Sequence, residues 1–291
     1  MNKFLSLICG LLMLSACSTV DSPIEYGESS SQQYASIEAL QAYNDEIVQT
    51  PDNRGIGHWC AVGTADVLGA YRLARIGVSI GSIFGPNGAA AGLIVGGVIG
   101  GVGGSYGANS VLSAAPRHNS KDVYLNSLNA YVTLTQQSSK PTDWGLRCPD
   151  EIKDDVLAFG QYHNVILEQI MNKFENNPDE EQIMKNFQGR AFDFLRDDEY
   201  IQAYYDFYKQ SAEIFHTQEV SFDDESGQIM KLFVEAIVKA PNEVQSVQMI
   251  VNDYIDIIER KSSLSLEERK ILYCSFSTAE ASSNYWLTTN I

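Results

Sequence analysis

Between Arg75 and Arg117 the chain carries no charged residue, and within that stretch glycine returns at every fourth position. Gly77, Gly81 and Gly85 form one series, and after Pro86-Asn87 a second runs through Gly88, Gly92, Gly96, Gly100 and Gly104. Ala61, Ala65 and Gly69 extend the small-residue row upstream. At 3.6 residues per turn this spacing lays the small residues along one slowly drifting stripe of a helix. Leu93, Ile94, Val95, Val98, Ile99 and Val102 cover the rest of the second arm. Gly-Pro-Asn-Gly at 85–88 is a turn signal, so the expectation is a helical hairpin with arms over 59–84 and 88–114. Nine glycines lie between Gly88 and Gly107, each costing about 1 kcal/mol against alanine in an exposed helix. Such an arm survives only when it is packed against something.

Rows of small residues four apart let two helix backbones approach closely. The segment resembles the glycine-zipper repeat of bacterial envelope proteins, which implies close helix packing and no particular activity. No Gly-Lys-Ser/Thr follows, so a phosphate-binding loop is set aside. Two readings of the hairpin fit the sequence. In one it packs in or against a membrane, the 28 uncharged residues of 88–115 being long enough to cross. In the other it is the buried core of a soluble helical module. Asp66, Arg72 and Arg75 interrupt the first arm, and Asp66 needs a partner, for which the two arginines are the expected donors. Self-association of the zipper into a homo-oligomer accompanies either reading.

The N-terminus has Lys3, an apolar run from Phe4 to Met13, and then Leu14-Ser15-Ala16-Cys17, the build of a secretory signal. The last four residues resemble the lipobox of bacterial lipoproteins. That resemblance implies removal of residues 1–16, acylation of Cys17 and a cell-envelope location. Ser18 after the cysteine resembles sorting to the outer membrane, and the side faced by the body is left open. Residues 17–45 read as a flexible tether, 46–116 as the zipper hairpin and 117–291 as an acidic helical domain.

Charge is unevenly placed. The whole chain carries a net −17, and from Asp143 onward 28 acidic and 13 basic residues leave −15. Such a surface repels nucleic acid, which excludes that class of partner. A protein partner for the acidic surface is an open expectation with no identity attached. Beyond Cys9 and Cys17 three cysteines remain, Cys60, Cys148 and Cys274. Their spacing fits no zinc pattern, and one disulfide among them is compatible with an oxidising compartment.

The remainder reads as helix. Apolar residues recur every three to four positions over 122–134, and Pro149 opens a long helix with Asp150 and Glu151 in its first turn. Further helices are expected up to Phe187, over 197–215 and 222–239, and from Pro241 to Arg260. Ser265 with Glu268 is a capping box that starts the last one. The expected fold is mainly α, a glycine-zipper hairpin followed by an irregular helical bundle. The tyrosines and tryptophan at 200, 204, 205, 208, 273, 285 and 286 fall at helical spacing and read as core.

No catalytic constellation, cofactor or metal site is expected. Glu213-x-x-His216 has the spacing of a di-iron ligand pair but lacks the second copy that such a site needs. The acidic run 223–225 before Ser226-Gly227 would put Phe222 at the first position of a calcium loop, where it cannot ligate. A remote alternative is a Cys60-dependent hydrolase, since Cys60 follows His58-Trp59 at an expected helix start, where a thiol's pKa falls.

Overall fold

The computed structural model describes residues 34–47, 58–112, 120–134, 141–173, 180–188, 202, 205, 206, 220–241 and 243–288. The hairpin lies at its centre. Its arms are α2 (His58–Gly81) and α3 (Gly85–Leu112), joined by a 3-10 turn at Ser82–Phe84. Gly85 takes φ +83°, a left-handed conformation that glycine alone adopts without strain. Pro86 then stands in the first turn of α3, where its missing N–H costs nothing.

The two arms meet backbone to backbone in an antiparallel register that pairs Gly81 with Gly88, Gly77 with Gly92, Leu73 with Gly96, Gly69 with Gly100, and Ala65 with Gly104. A Cβ added at Gly77, Gly81, Gly92, Gly96, Gly100 or Gly104 would collide with a carbonyl oxygen of the opposite arm. The helix-propensity cost of the glycines is therefore offset by an interface that no larger residue permits.

The chain then wraps this pair. α4 (Ser120–Leu134) packs on α3, α5 (Asp150–Lys173) on α3 and α4, and α6 (Glu180–Gln188) on α4. On the other side, α7 (Glu225–Lys239) and α8 (Val244–Lys261) pack with α1 (Ala35–Glu46), and the last helix, α9 (Leu266–Thr288), joins the halves by touching α2, α3, α5, α7 and α8. Among the described residues there is no strand. The mainly α expectation holds, and one apolar cluster runs from the hairpin (Val67, Leu93, Val98) through α5 (Phe159, Ile166) to α7–α9 (Phe233, Tyr254, Phe276). Phe233 and Phe276 stack with ring centroids 4.0 Å apart.

α1 occupies a stretch expected to belong to the tether. Ile37, Leu40 and Asn44 share one helix face and are buried. Asn44 donates from Nδ2 to the Leu232 carbonyl at 2.9 Å and accepts from the Tyr254 hydroxyl at 2.7 Å. A buried leucine and a doubly satisfied amide fix this helix to α7 and α8.

The helix starts behave as capping chemistry requires. Asp224 accepts from the Gly227 N–H at 2.8 Å and caps α7, so the acidic run there is a helix cap. Ser265 and Glu268 bond reciprocally at the start of α9, as the capping-box spacing predicts. Residues Ile271 to Ser283 of α9 are buried on all faces. Its small hydroxyl residues return bonds to their own backbone, Ser275 to Ile271 and Thr278 to Cys274, which lets a polar sequence run through an apolar centre.

Candidate site: a buried polar cluster at the hairpin

Asp66 of α2 is fully buried. Nine residues along a helix is half a rotation, so Arg75 points away from it. Arg75 pairs instead with Asp224 at 2.7 Å and donates to the Tyr71 hydroxyl at 2.9 Å. The arginine partner expected for Asp66 gives way to three side chains from other helices. Ser282 of α9 donates to Asp66 Oδ2 at 2.5 Å, and His163 Nε2 of α5 lies 3.6 Å from the same oxygen. Ser105 of α3 sits beside the carboxylate without making a hydrogen bond of its own. His163 Nδ1 contacts Asn164 Oδ1 at 3.0 Å, and Asn164 donates to the Ala281 carbonyl at 2.7 Å. The cluster thus ties α2, α3, α5 and α9 together at one point.

Glycine again makes the space. Gly97 and Gly101 form a second row on α3, one step round from the zipper row. A Cβ on Gly101 would meet His163, and one on Gly97 would meet Phe159. Gly160 on α5 similarly admits Ser277 of α9. This second row is written in the doublets Gly96-Gly97 and Gly100-Gly101.

Burial raises the pKa of Asp66 to about 8, against the opposing effect of the Ser105 and Ser282 hydroxyls. Burial likewise lowers His163 to about 4, opposed by the neighbouring Asn164 side chain and Gly101 backbone. Near neutrality the two side chains hold one proton between them and carry no net charge. That is the state of lowest free energy for two titratable groups sealed from bulk solvent.

Serine, histidine and aspartate meet here, yet the arrangement does not build a nucleophile. A hydrolytic relay needs the hydroxyl to give its proton to the imidazole and an open path for substrate. Here the Ser282 hydroxyl is held by the carboxylate, and Asp66, His163 and Ser282 are all 0% exposed. The cluster is a tie between helices.

The other expected groups fall as follows. All three cysteines are buried, and Cys148 and Cys274 are free thiols, so no disulfide joins any two of Cys60, Cys148 and Cys274. Burial pushes the Cys148 thiol up to about 11 and the Cys274 thiol higher still. Cys60 stands at the third position of α2, 3% exposed, while His163 is engaged with Asp66 and Asn164. Tyr205, Tyr273 and Trp286 are buried as core. Cys17, the Glu213–His216 pair and the other three tyrosines before Phe215 lie outside the described residues.

The stretch from Trp59 to Asn109 is apolar and long enough to cross a membrane by length and composition, with a mean hydropathy of 1.5, and 72% of that apolar window lies buried inside the protein. Compared with protein-family models, curated proteins and solved structures, the chain shows no significant match.

Proposed function

We propose that this protein is a lipid-tethered component of a bacterial cell envelope, without an active site of its own, whose zipper hairpin is the core of a helical module displayed from the membrane. The tether rests on the lipobox resemblance at Leu14–Cys17. The observation that carries the module reading is the enclosure of the hairpin by α4, α5, α7 and α9, with Asp66 fully buried and bonded through Oδ2 to Ser282 of α9. A hairpin surrounded by lipid would turn its aliphatic side chains outward. Val62, Val67, Val95, Val98 and Val102 instead face the protein interior, each contributing about 1.5–3 kcal/mol by burial. The acidic exterior keeps the body in water and away from anionic headgroups, and any partner it recruits is read as a protein. The bilayer-packed hairpin is the second reading, supported by the apolar length of Trp59–Asn109.

Two measurements test this. Mass spectrometry of the mature protein from bacterial membranes should find acyl chains on an N-terminal Cys17, and an unmodified chain overturns the tether. Gly96→Leu should abolish cooperative urea unfolding of the body in detergent-free buffer. A body that stays folded while only membrane association is lost would favour the bilayer-packed hairpin.

A further inference from the structure

We propose that the tip of the hairpin dips into the surface of the same bilayer that the lipid tether grips, so that the protein touches its membrane at two points. This rests on the tether reading above and adds a contact that the tether alone does not require.

The tip is the part of the hairpin that the body leaves uncovered. Ile83 is 69% exposed, the largest exposure among the large apolar side chains described. Around it Ile80 and Phe84 are half-buried, and Pro86 and Ala90 are exposed. No charge occurs from Ile76 to Pro116 in a chain of net charge −17, so the tip carries no charge of its own to hold it in water. Its polar groups are largely satisfied locally. The Ser82 hydroxyl donates to the Ser79 carbonyl at 2.6 Å, and the Gly85 N–H donates to the Ser82 carbonyl. Apart from the Asn87 amide the tip offers a protein partner no charged or strongly polar group, whereas apolar side chains over a locally bonded backbone suit a bilayer interface.

The way the chain enters the body selects the lipid as occupant. Ser36, in the first turn of α1, hydrogen-bonds Glu225 at the start of α7. Its neighbours Asp224 and Ser226 bond Arg75 and Tyr71 of α2, at 2.7 and 2.8 Å. The tether therefore reaches the body at the level of Arg75, beside the hairpin tip. Sixteen residues separate Cys17 from Tyr34, a span of at most about 55 Å. Ile83 lies eight residues beyond Arg75, about 12 Å along a helix. Arg75 with Asp224 and the exposed Asp223 then marks a charged collar that limits entry to the headgroup and upper acyl region. With acidic groups in the collar, contact needs no anionic lipid.

The test uses the acylated full chain in vesicles of phosphatidylcholine, with and without bromine on the acyl chains. Ile83→Trp places a reporter at the tip. Met249→Trp places one at an equally open site, 58% exposed on α8, fourteen residues before Ser263, which bonds Glu225 at the collar level. Both variants should float with the vesicles through the acyl chains and melt like the native chain. The emission added by Ile83→Trp should fall at least twofold in brominated vesicles, while that of Met249→Trp should not change. Equal quenching of the two with flotation intact overturns the tip contact alone and leaves the tether standing, the tip then facing water or a protein partner. Loss of flotation overturns both.

Discussion

Replacing Asp66 by asparagine should remove a specific pH dependence from folding stability. The unfolded chain ionises Asp66 near the ordinary carboxyl value of 3.8 and His163 near 6.5, whereas the folded chain does so at about 8 and about 4. Between pH 4 and 6.5 the folded state holds the Asp66 proton and the unfolded state holds the His163 proton. The numbers of bound protons match, and the cluster adds no slope. Above 6.5 the unfolded chain has released both, while the folded chain keeps one until pH 8. Stability therefore falls as pH rises, by about 1.4 kcal/mol per pH unit, or about 2 kcal/mol between pH 6.5 and 8. Asparagine preserves the size and the acceptor for the Ser282 hydroxyl but does not titrate. Urea unfolding of both proteins at pH 6.5 and 8.0 isolates the effect, since every other titrating group is common to the two. The native chain should lose about 2 kcal/mol more than Asp66→Asn across that interval. A parallel response of the two proteins would mean that Asp66 is solvated, and would refute the sealed cluster.

Four further outcomes follow from the packing. Gly77→Ala forces a methyl into the Gly92 carbonyl and should cost more than the ~1–3 kcal/mol typical of an overpacked core. Gly107→Ala, with nothing within 4 Å, should stabilise by up to about 1 kcal/mol. Chemical denaturation of the pair reads both signs, and a destabilising Gly107→Ala would show that α3 is packed there as well. Cys60, Cys148 and Cys274 should react with an aromatic disulfide reagent at pH 7.5 only on unfolding, and a fast native reaction at Cys60 would reopen the thiol chemistry. Ser265→Ala should lower stability by about 1 kcal/mol through loss of its cap, measurable as a shift in urea midpoint, and no shift would show that the packing of α9 makes the cap redundant.

The hairpin was legible because its constraint is local. A four-residue glycine repeat around Gly85-Pro86 states which faces touch and where the chain reverses, and the arms fall within a few residues of the expected bounds. What eluded the sequence was partnership at a distance. Asp66 could be seen to need company, but its partners stand 39, 97 and 216 positions away, at Ser105, His163 and Ser282, and periodicity carries no information about which helix faces which. The second glycine row is written in the doublets, but one row is enough to account for the hairpin, so the doublets alone do not say that a third helix packs there. α9 carried its own signal: from Ile271 to the end Glu280 is the lone charge, which marks a helix enclosed on every side. Its serines and threonine disguised this, since hydroxyls bonded to their own helix count as polar in any pattern and as apolar in a core. α1 was hidden by the polar run before it, although Ile37, Leu40 and Tyr43 keep helical spacing.

The zipper interface is a ruler with identical marks. Sliding one arm past the other by four residues, about 6 Å, again sets α3 glycines against Gly69, Leu73 and Gly77, so the stripe by itself does not say where to stop. The left-handed Gly85 closes one end and leaves no slack for a slip, and the lone carboxylate of Asp66 finds its two hydroxyls and its imidazole in a single alignment. A hairpin of this kind therefore stores its affinity in a repeat and its address in two residues that stand outside the repeat. Lengthening the turn by four residues while removing the Asp66 carboxylate would leave the contact intact and erase the information about where it belongs.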